Sequence, residues 1–138
     1  MFTDETILQS HNPKKKQVVE TDASQWAIAA YLSQSEDGKR GKPVAFHSRK
    51  LTPAEQNYNI HDKELLAIVD AFKHWRHYLQ EARHEISVVT DHKNLTAFTT
   101  TKTLNKRQVR WAEELSSYNF KINYRKGSEN QAADALSR

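Results

Sequence analysis

The sequence predicts an α/β domain: a five-stranded mixed sheet with helices on its faces. Three observations predict it. Residues 62–79 carry one amphipathic helix, with Leu65, Ile68, Phe72, Trp75 and Leu79 recurring at spacings of three and four. Three short apolar runs before it, at 18–24, 26–34 and 43–49, read as an antiparallel meander. Strand-like runs at 85–91 and 120–124 then alternate with helical stretches. The strand after the long helix is expected to lie parallel to the first through a right-handed crossover.

Each element has a local reason. Residues 1–16 lack a clear period and end in Pro13-Lys14-Lys15-Lys16, so they read as a lead-in, with the domain proper at 17–138. The polar stretch from Glu36 to Lys42 turns the chain between the second and third strands. Thr52-Pro53-Ala54-Glu55 is a capping box with proline at the first helical position. Asn57-Tyr58-Asn59 weakens the helical run, so a short helical piece or an irregular junction is expected before the long helix. A short helix is expected at 92–98. A further helix spans 105–116, with Val109, Trp111, Ala112 and Leu115 packing and Lys106, Arg107 and Arg110 exposed. Gly127 turns the chain into a last short helix, 130–136, which carries Asp134. Trp26, Trp75 and Trp111 are expected in the core.

Composition narrows the function. The chain has 138 residues, enough for one domain with a real core. It has no cysteine, which excludes disulfides and thiolate metal sites. His74 and His77 lie one turn apart and His84 follows, but no fitting fourth ligand supports a zinc site. No apolar run reaches membrane-spanning length, so no membrane partner is expected. The formal net charge of +4 suits a polyanionic partner.

Glu64 breaks the pattern of the long helix. It shares a stripe with Ile68, Ala71 and Trp75, so its carboxylate points to the packed side, where an unpaired charge is costly. Asp22 and Asp91 each sit at the end of an apolar strand. If those strands are neighbours, their carboxylates lie side by side, with Glu64 arriving from the helix and Asp134 from the last helix. Like charges this close repel unless a divalent cation neutralises them. An all-oxygen ligand set suits Mg²⁺ or Mn²⁺. Two such ions roughly 3.5–4 Å apart would form a clamp for in-line attack on a phosphodiester.

Six ordered blocks carry a family resemblance. They are Thr21-Asp22-Ala23-Ser24, Asp62-Lys63-Glu64-Leu65-Leu66-Ala67-Ile68, Trp75-Arg76-His77-Tyr78-Leu79, Thr90-Asp91-His92-Lys93-Asn94-Leu95, Arg110-Trp111 and Ala133-Asp134-Ala135-Leu136-Ser137-Arg138. In this order they resemble the ribonuclease H domain of gypsy-type LTR retrotransposon reverse transcriptases, over residues 17–138. Residues 2–10 then look like the end of a preceding connecting region, with Met1 an added start, and Ser137-Arg138 looks like a cut before the next linker.

The resemblance implies a ribonuclease H-like fold and hydrolysis of the RNA strand of RNA–DNA hybrids during reverse transcription, leaving 5′-phosphate and 3′-hydroxyl ends. It implies two Mg²⁺ ions, with Mn²⁺ as a substitute, and no small-molecule cofactor. By similarity Asp22 bridges both ions, and Asp134 shares the one that activates the attacking water. Glu64 and Asp91 hold the other, and Glu64 also reaches the RNA 2′-hydroxyl. Implied partners are the hybrid and the polymerase and connection domains of the same polyprotein. The implied location is the cytoplasm, within a virus-like particle, or the nucleus. His92, Lys93 and Asn94, just after Asp91, are placed to touch the hybrid. Lys102, Lys106, Arg107 and Arg110 are candidate phosphate contacts, replacing a basic helix that cellular members carry and for which 99–104 is too short. Tyr124 and Arg125 are further substrate-contact candidates.

One departure concerns release of product. Cellular members place a histidine ahead of the last aspartate, where this chain has Tyr124. A phenol of pKa about 10 cannot shuttle protons near neutral pH as imidazole does. Slower turnover is therefore expected, and the structural alternative is that Tyr124 packs at the end of its strand. A competing function is a non-catalytic, connection-type module that binds the hybrid. Such modules have lost the acids, and this chain keeps all four. A strand-transfer enzyme of integrase type would space its acids differently.

Overall fold

In a computed structural model of the protein, the described residues are 4–7, 15–35, 42–80, 82–91 and 104–125. A short first strand, β1 (Asp4–Ile7), precedes the expected meander of β2 (Lys16–Ala23), β3 (Ala27–Ser35) and β4 (Lys42–Lys50). Helices α1 (Pro53–Gln56), α2 (Ile60–His74) and α3 (Arg76–Leu79) come next, then β5 (Ile86–Thr90), α4 (Lys106–Leu115) and β6 (Phe120–Tyr124). The strands form one mixed sheet in the order β1-β4-β3-β2-β5-β6. β2, β3 and β4 pair antiparallel, while β5 is parallel to β2 and to β6.

The five expected strands are all present, and β1 adds a sixth at the edge. It lies inside the segment predicted to be a lead-in and pairs antiparallel with β4. Four residues are too few to show a strand period, so only the partner strand reveals it.

The core forms where α2 lies on the sheet. Leu65, Ile68, Val69 and Phe72 of α2 pack with Val19, Leu32, Ile86, Val88 and Ile122 of the strands, and Leu115 of α4 joins them. Burial of this stripe, at about 1.5–3 kcal/mol for each large side chain, fixes α2 across the middle of the sheet.

The helix starts are capped by local side chains. Thr52 and Glu55 form the capping box of α1. The junction after it is irregular as expected: Asn59 caps α2 by accepting from the Asp62 N–H at 2.8 Å. Asn105 and Gln108 make a second capping box at α4.

Three expectations are corrected. The long helix is not continuous to Leu79, because Trp75 leaves helical geometry (φ −104°, ψ 29°) and separates α2 from α3. The indole is fully buried beside His47 and His74, and the chain bends where it is inserted. Trp26 is not core but 59% exposed, because it lies in the tight turn between β2 and β3, where no layer covers it. Val109 is exposed rather than packed.

Candidate metal centre

Parallel pairing of β2 and β5 brings the site together. The register matches Val18 with Ser87, Val19 with Val88 and Glu20 with Val89. Continued by two residues, it sets Asp22 opposite Asp91. Both acids stand at the same end of neighbouring strands, as their sequence positions suggested. Glu64 reaches them from the N-terminal half of α2, and the carboxylates of Asp22, Glu64 and Asp91 lie within 4.8 Å of one another.

The electrostatics of this cluster are unfavourable for three free anions. Glu64 is only 4% exposed. Its burial, and then the charges of Asp22 and Asp91, push its carboxyl up to about 9, against a single opposing hydrogen bond from the Ala23 backbone. The Glu64 Oε2 atom has no hydrogen-bond partner among the described residues. A buried acceptor without a donor costs roughly 1–3 kcal/mol, so its retention asks for a partner from outside the chain. Three hard oxygen donors and an orphaned carboxylate oxygen fit a divalent cation such as Mg²⁺ or Mn²⁺.

The other predicted site residues divide into three groups. Asp134, His92, Lys93, Asn94 and Lys102 lie outside the described residues, as do the helices expected at 92–98 and 130–136. Lys106 and Arg110 are exposed on α4, where they are available to a ligand. Tyr124 is also exposed, at 45%, beside Thr90 at the end of β6, so it does not pack away as the structural alternative held.

Arg107 and Arg125 are placed differently from what the sequence suggested. Arg107 was expected on the outer side of its helix. Instead its Nη2 donates to the fully buried Asp62 at 2.7 Å, and its guanidinium lies 3.8 Å above the Tyr58 ring. A buried carboxylate and an aromatic face outcompete solvent for it. Arg125 donates its backbone N–H to the Thr90 carbonyl at 2.8 Å. Its Nη1 lies 3.6 Å from the Glu20 carboxylate, which is fully buried. Both arginines are therefore engaged by the protein.

Sequence reasoning missed Asp62 and Glu20. Each lies two residues before a cluster acid, and Glu20 shares a face with Asp22 by strand alternation. That spacing was the available signal. What it lacked was the arginine partner, which comes from far along the chain in both cases.

Comparison with known proteins agrees with this architecture. The family described as RNase H-like domain found in reverse transcriptase matches residues 12–118. The Transposon Tf2-3 polyprotein of Schizosaccharomyces pombe is 46% identical over 134 residues, covering 96% of this chain and 10% of the polyprotein. The chain thus spans about a tenth of the length of that curated relative. Among solved structures, foamy viral protease-reverse transcriptase in complex with RNA/DNA hybrid superposes with a TM-score of 0.67 at 19% identity, over 87% of this chain and 16% of that one. RNase H1 from the halophilic archaeon Halobacterium salinarum NRC-1 gives 0.66 at 20% identity, over 88% of this chain and 93% of that one. At such identities the structures speak for the fold. The resemblance carried by the six ordered blocks is borne out by the matching family and the transposon relative together, and the chain belongs to the RNase H-like domains found in reverse transcriptases.

Proposed function

We propose that this domain is a metal-dependent endoribonuclease that hydrolyses the RNA strand of RNA–DNA hybrids during reverse transcription. The observation that carries the reading is the gathering of Asp22, Glu64 and Asp91 within 4.8 Å of one another, with one oxygen of the buried Glu64 unsatisfied among the described residues. A module that only bound the hybrid would have no use for three mutually repelling acids at the ends of its central strands.

Two divalent cations held by Asp22, Glu64, Asp91 and Asp134 would supply the Lewis acidity that stabilises charge on the attacking and leaving oxygens of the phosphodiester. The chain's own contribution is placement. The β2–β5 pairing fixes Asp22 and Asp91 on rigid strand ends, and α2 delivers Glu64 from the packed side. The Glu64 carboxyl, protonated near neutral pH in the metal-free protein, must give up its proton to act as a ligand. Recognition of RNA rests on its 2′-hydroxyl, for which Glu64 is the nearest candidate by family similarity. Lys106 and Arg110 offer exposed positive charge to a phosphate backbone. The acting protein is the longer polyprotein product, whose polymerase and connection domains share the grip on the hybrid, in the cytoplasm within a virus-like particle or in the nucleus.

The test is cleavage of a labelled RNA–DNA hybrid beside an all-DNA duplex of the same sequence, in Mg²⁺ and in Mn²⁺. The expected result is cutting of the RNA strand only, lost on chelation and in Asp91→Asn. Hybrid binding without cutting by the wild type would overturn the nuclease reading in favour of a connection-type module.

A further inference from the structure

Glu64 has little of its own to hold it in place. One backbone donor, Ala23, meets its carboxylate, Oε2 has no partner among the described residues, and two like charges stand close by. Its position must come from the backbone of the first turns of α2. Helix ends fray, and the apolar stripe of α2 begins only at Leu65.

Those first turns are gripped from α4. Asp62, fully buried, accepts from Arg107 Nη2 at 2.7 Å and from Gln108 Nε2 at 2.9 Å. Its own N–H is held by the Asn59 side chain at 2.8 Å. The Arg107 guanidinium also covers the ring of Tyr58, just before the cap, and lies 5.8 Å from the centre of the Trp111 ring. Two neighbouring side chains of α4 therefore meet one carboxylate of α2, two residues before Glu64. Asp62 is fully buried and Arg107 32% exposed; replacing such an ion pair by apolar residues is often neutral or stabilising, so a register role explains it better than stability.

We propose that Arg107 and Gln108, acting through Asp62, are positioning residues that hold Glu64 within the carboxylate cluster. This rests on reading the cluster as a divalent-cation site. The tie does not touch a cation or the reacting phosphate. It fixes the height and rotation of the helix turn from which Glu64 extends. It also links the site to the helix whose other residues, Lys106 and Arg110, face solvent.

The experiment is calorimetric titration of Mn²⁺ into the full chain, with thermal melting in the absence of metal and steady-state hybrid cleavage alongside. Arg107→Met alone would strand a buried charge and risks unfolding. The double variant Asp62→Asn/Arg107→Gln removes both charges, and Arg107→Lys keeps the charge while losing the planar fork. Partners that hydrogen-bond a metal ligand directly typically change affinity by about 10–100-fold, and a tie acting through the helix turn falls at the lower end of that range. The double variant is expected to bind Mn²⁺ about tenfold more weakly and to lose kcat with KM for the hybrid unchanged. Arg107→Lys should show the same change in smaller degree. Variants that melt lower yet keep wild-type Mn²⁺ affinity would mark the tie as structural and overturn the proposal. A wild type that binds no Mn²⁺ would overturn the metal reading itself, and this proposal with it.

Discussion

Helix α2 carries two acids in opposite situations, six residues apart. Glu64 stands among like charges with one oxygen unpartnered among the described residues, and its carboxyl is pushed up to about 9. Asp70 is also largely buried, and burial pushes its carboxyl up too. There the His47 hydrogen bond at 2.8 Å and the Arg49 guanidinium at 3.1 Å outweigh burial, and the carboxyl ends below its usual value. Burial alone therefore does not decide the state of an acid. The neighbours do, and they separate an acid that serves the fold from one that awaits a ligand. Asp62 belongs with Asp70: it is fully buried and fully answered, by Arg107 and Gln108.

The comparison can be broken most decisively through activity. Glu64→Gln removes a cation ligand while keeping size and neutrality, so hybrid cleavage should fall by about a thousandfold or more. Because Glu64 must take up a proton to stay buried near neutral pH without metal and glutamine need not, the same variant should melt at or above the wild type in chelator. Asp70→Asn should do the reverse. It takes the carboxylate from His47 and leaves Arg49 with Glu55 alone, so chemical denaturation should show a loss of about 1–3 kcal/mol, with cleavage per folded molecule unchanged. A Glu64→Gln variant that unfolded, or an Asp70→Asn variant that lost cleavage while folded, would erase the distinction.

Smaller effects arise from pH and metal. Glu64 has a raised carboxyl, so its contribution to metal-free stability is full below its unfolded value of 4.5 and is lost as pH rises through about 9. Asp70 has a lowered carboxyl, so its contribution is present above its unfolded value of 3.8 and is lost as pH falls through the folded value. Melting curves should therefore weaken as pH falls through the folded value of Asp70 and as pH rises from 4.5 to about 9, and Glu64→Gln should remove only the second loss. Added Mg²⁺ should stabilise the wild type by about 2.7 kcal/mol at a hundredfold excess over its dissociation constant, and so raise its melting temperature. It should do so least in Asp91→Asn, and less at acid pH, where protons compete for the ligands.

How far the sequence reveals this depends on where the partners come from. Asp22, Glu64 and Asp91 were legible because each is a charge set in an apolar run or stripe, a conflict that local pattern exposes. The capping box of α1 was legible because all its atoms lie within one turn. Arg107 was not. A helical wheel puts it among solvated cations, and only a carboxylate 45 residues earlier draws it inward. The break at Trp75 was hidden too, because its spacing fits a continuous helix and only burial beside His47 and His74 shows the bend. Trp26 misled for the opposite reason: indole suggests core, but its turn position leaves nothing to cover it.

The most direct measurement is a carboxyl-carbon NMR titration of Glu64 with and without Mg²⁺. In the metal-free protein the Glu64 resonance should titrate near pH 9, and at neutral pH added Mg²⁺ should convert it to the carboxylate. Titration near the ordinary value of 4.5 with no response to Mg²⁺ would contradict the account, because the cluster would then be neither strained nor a metal centre.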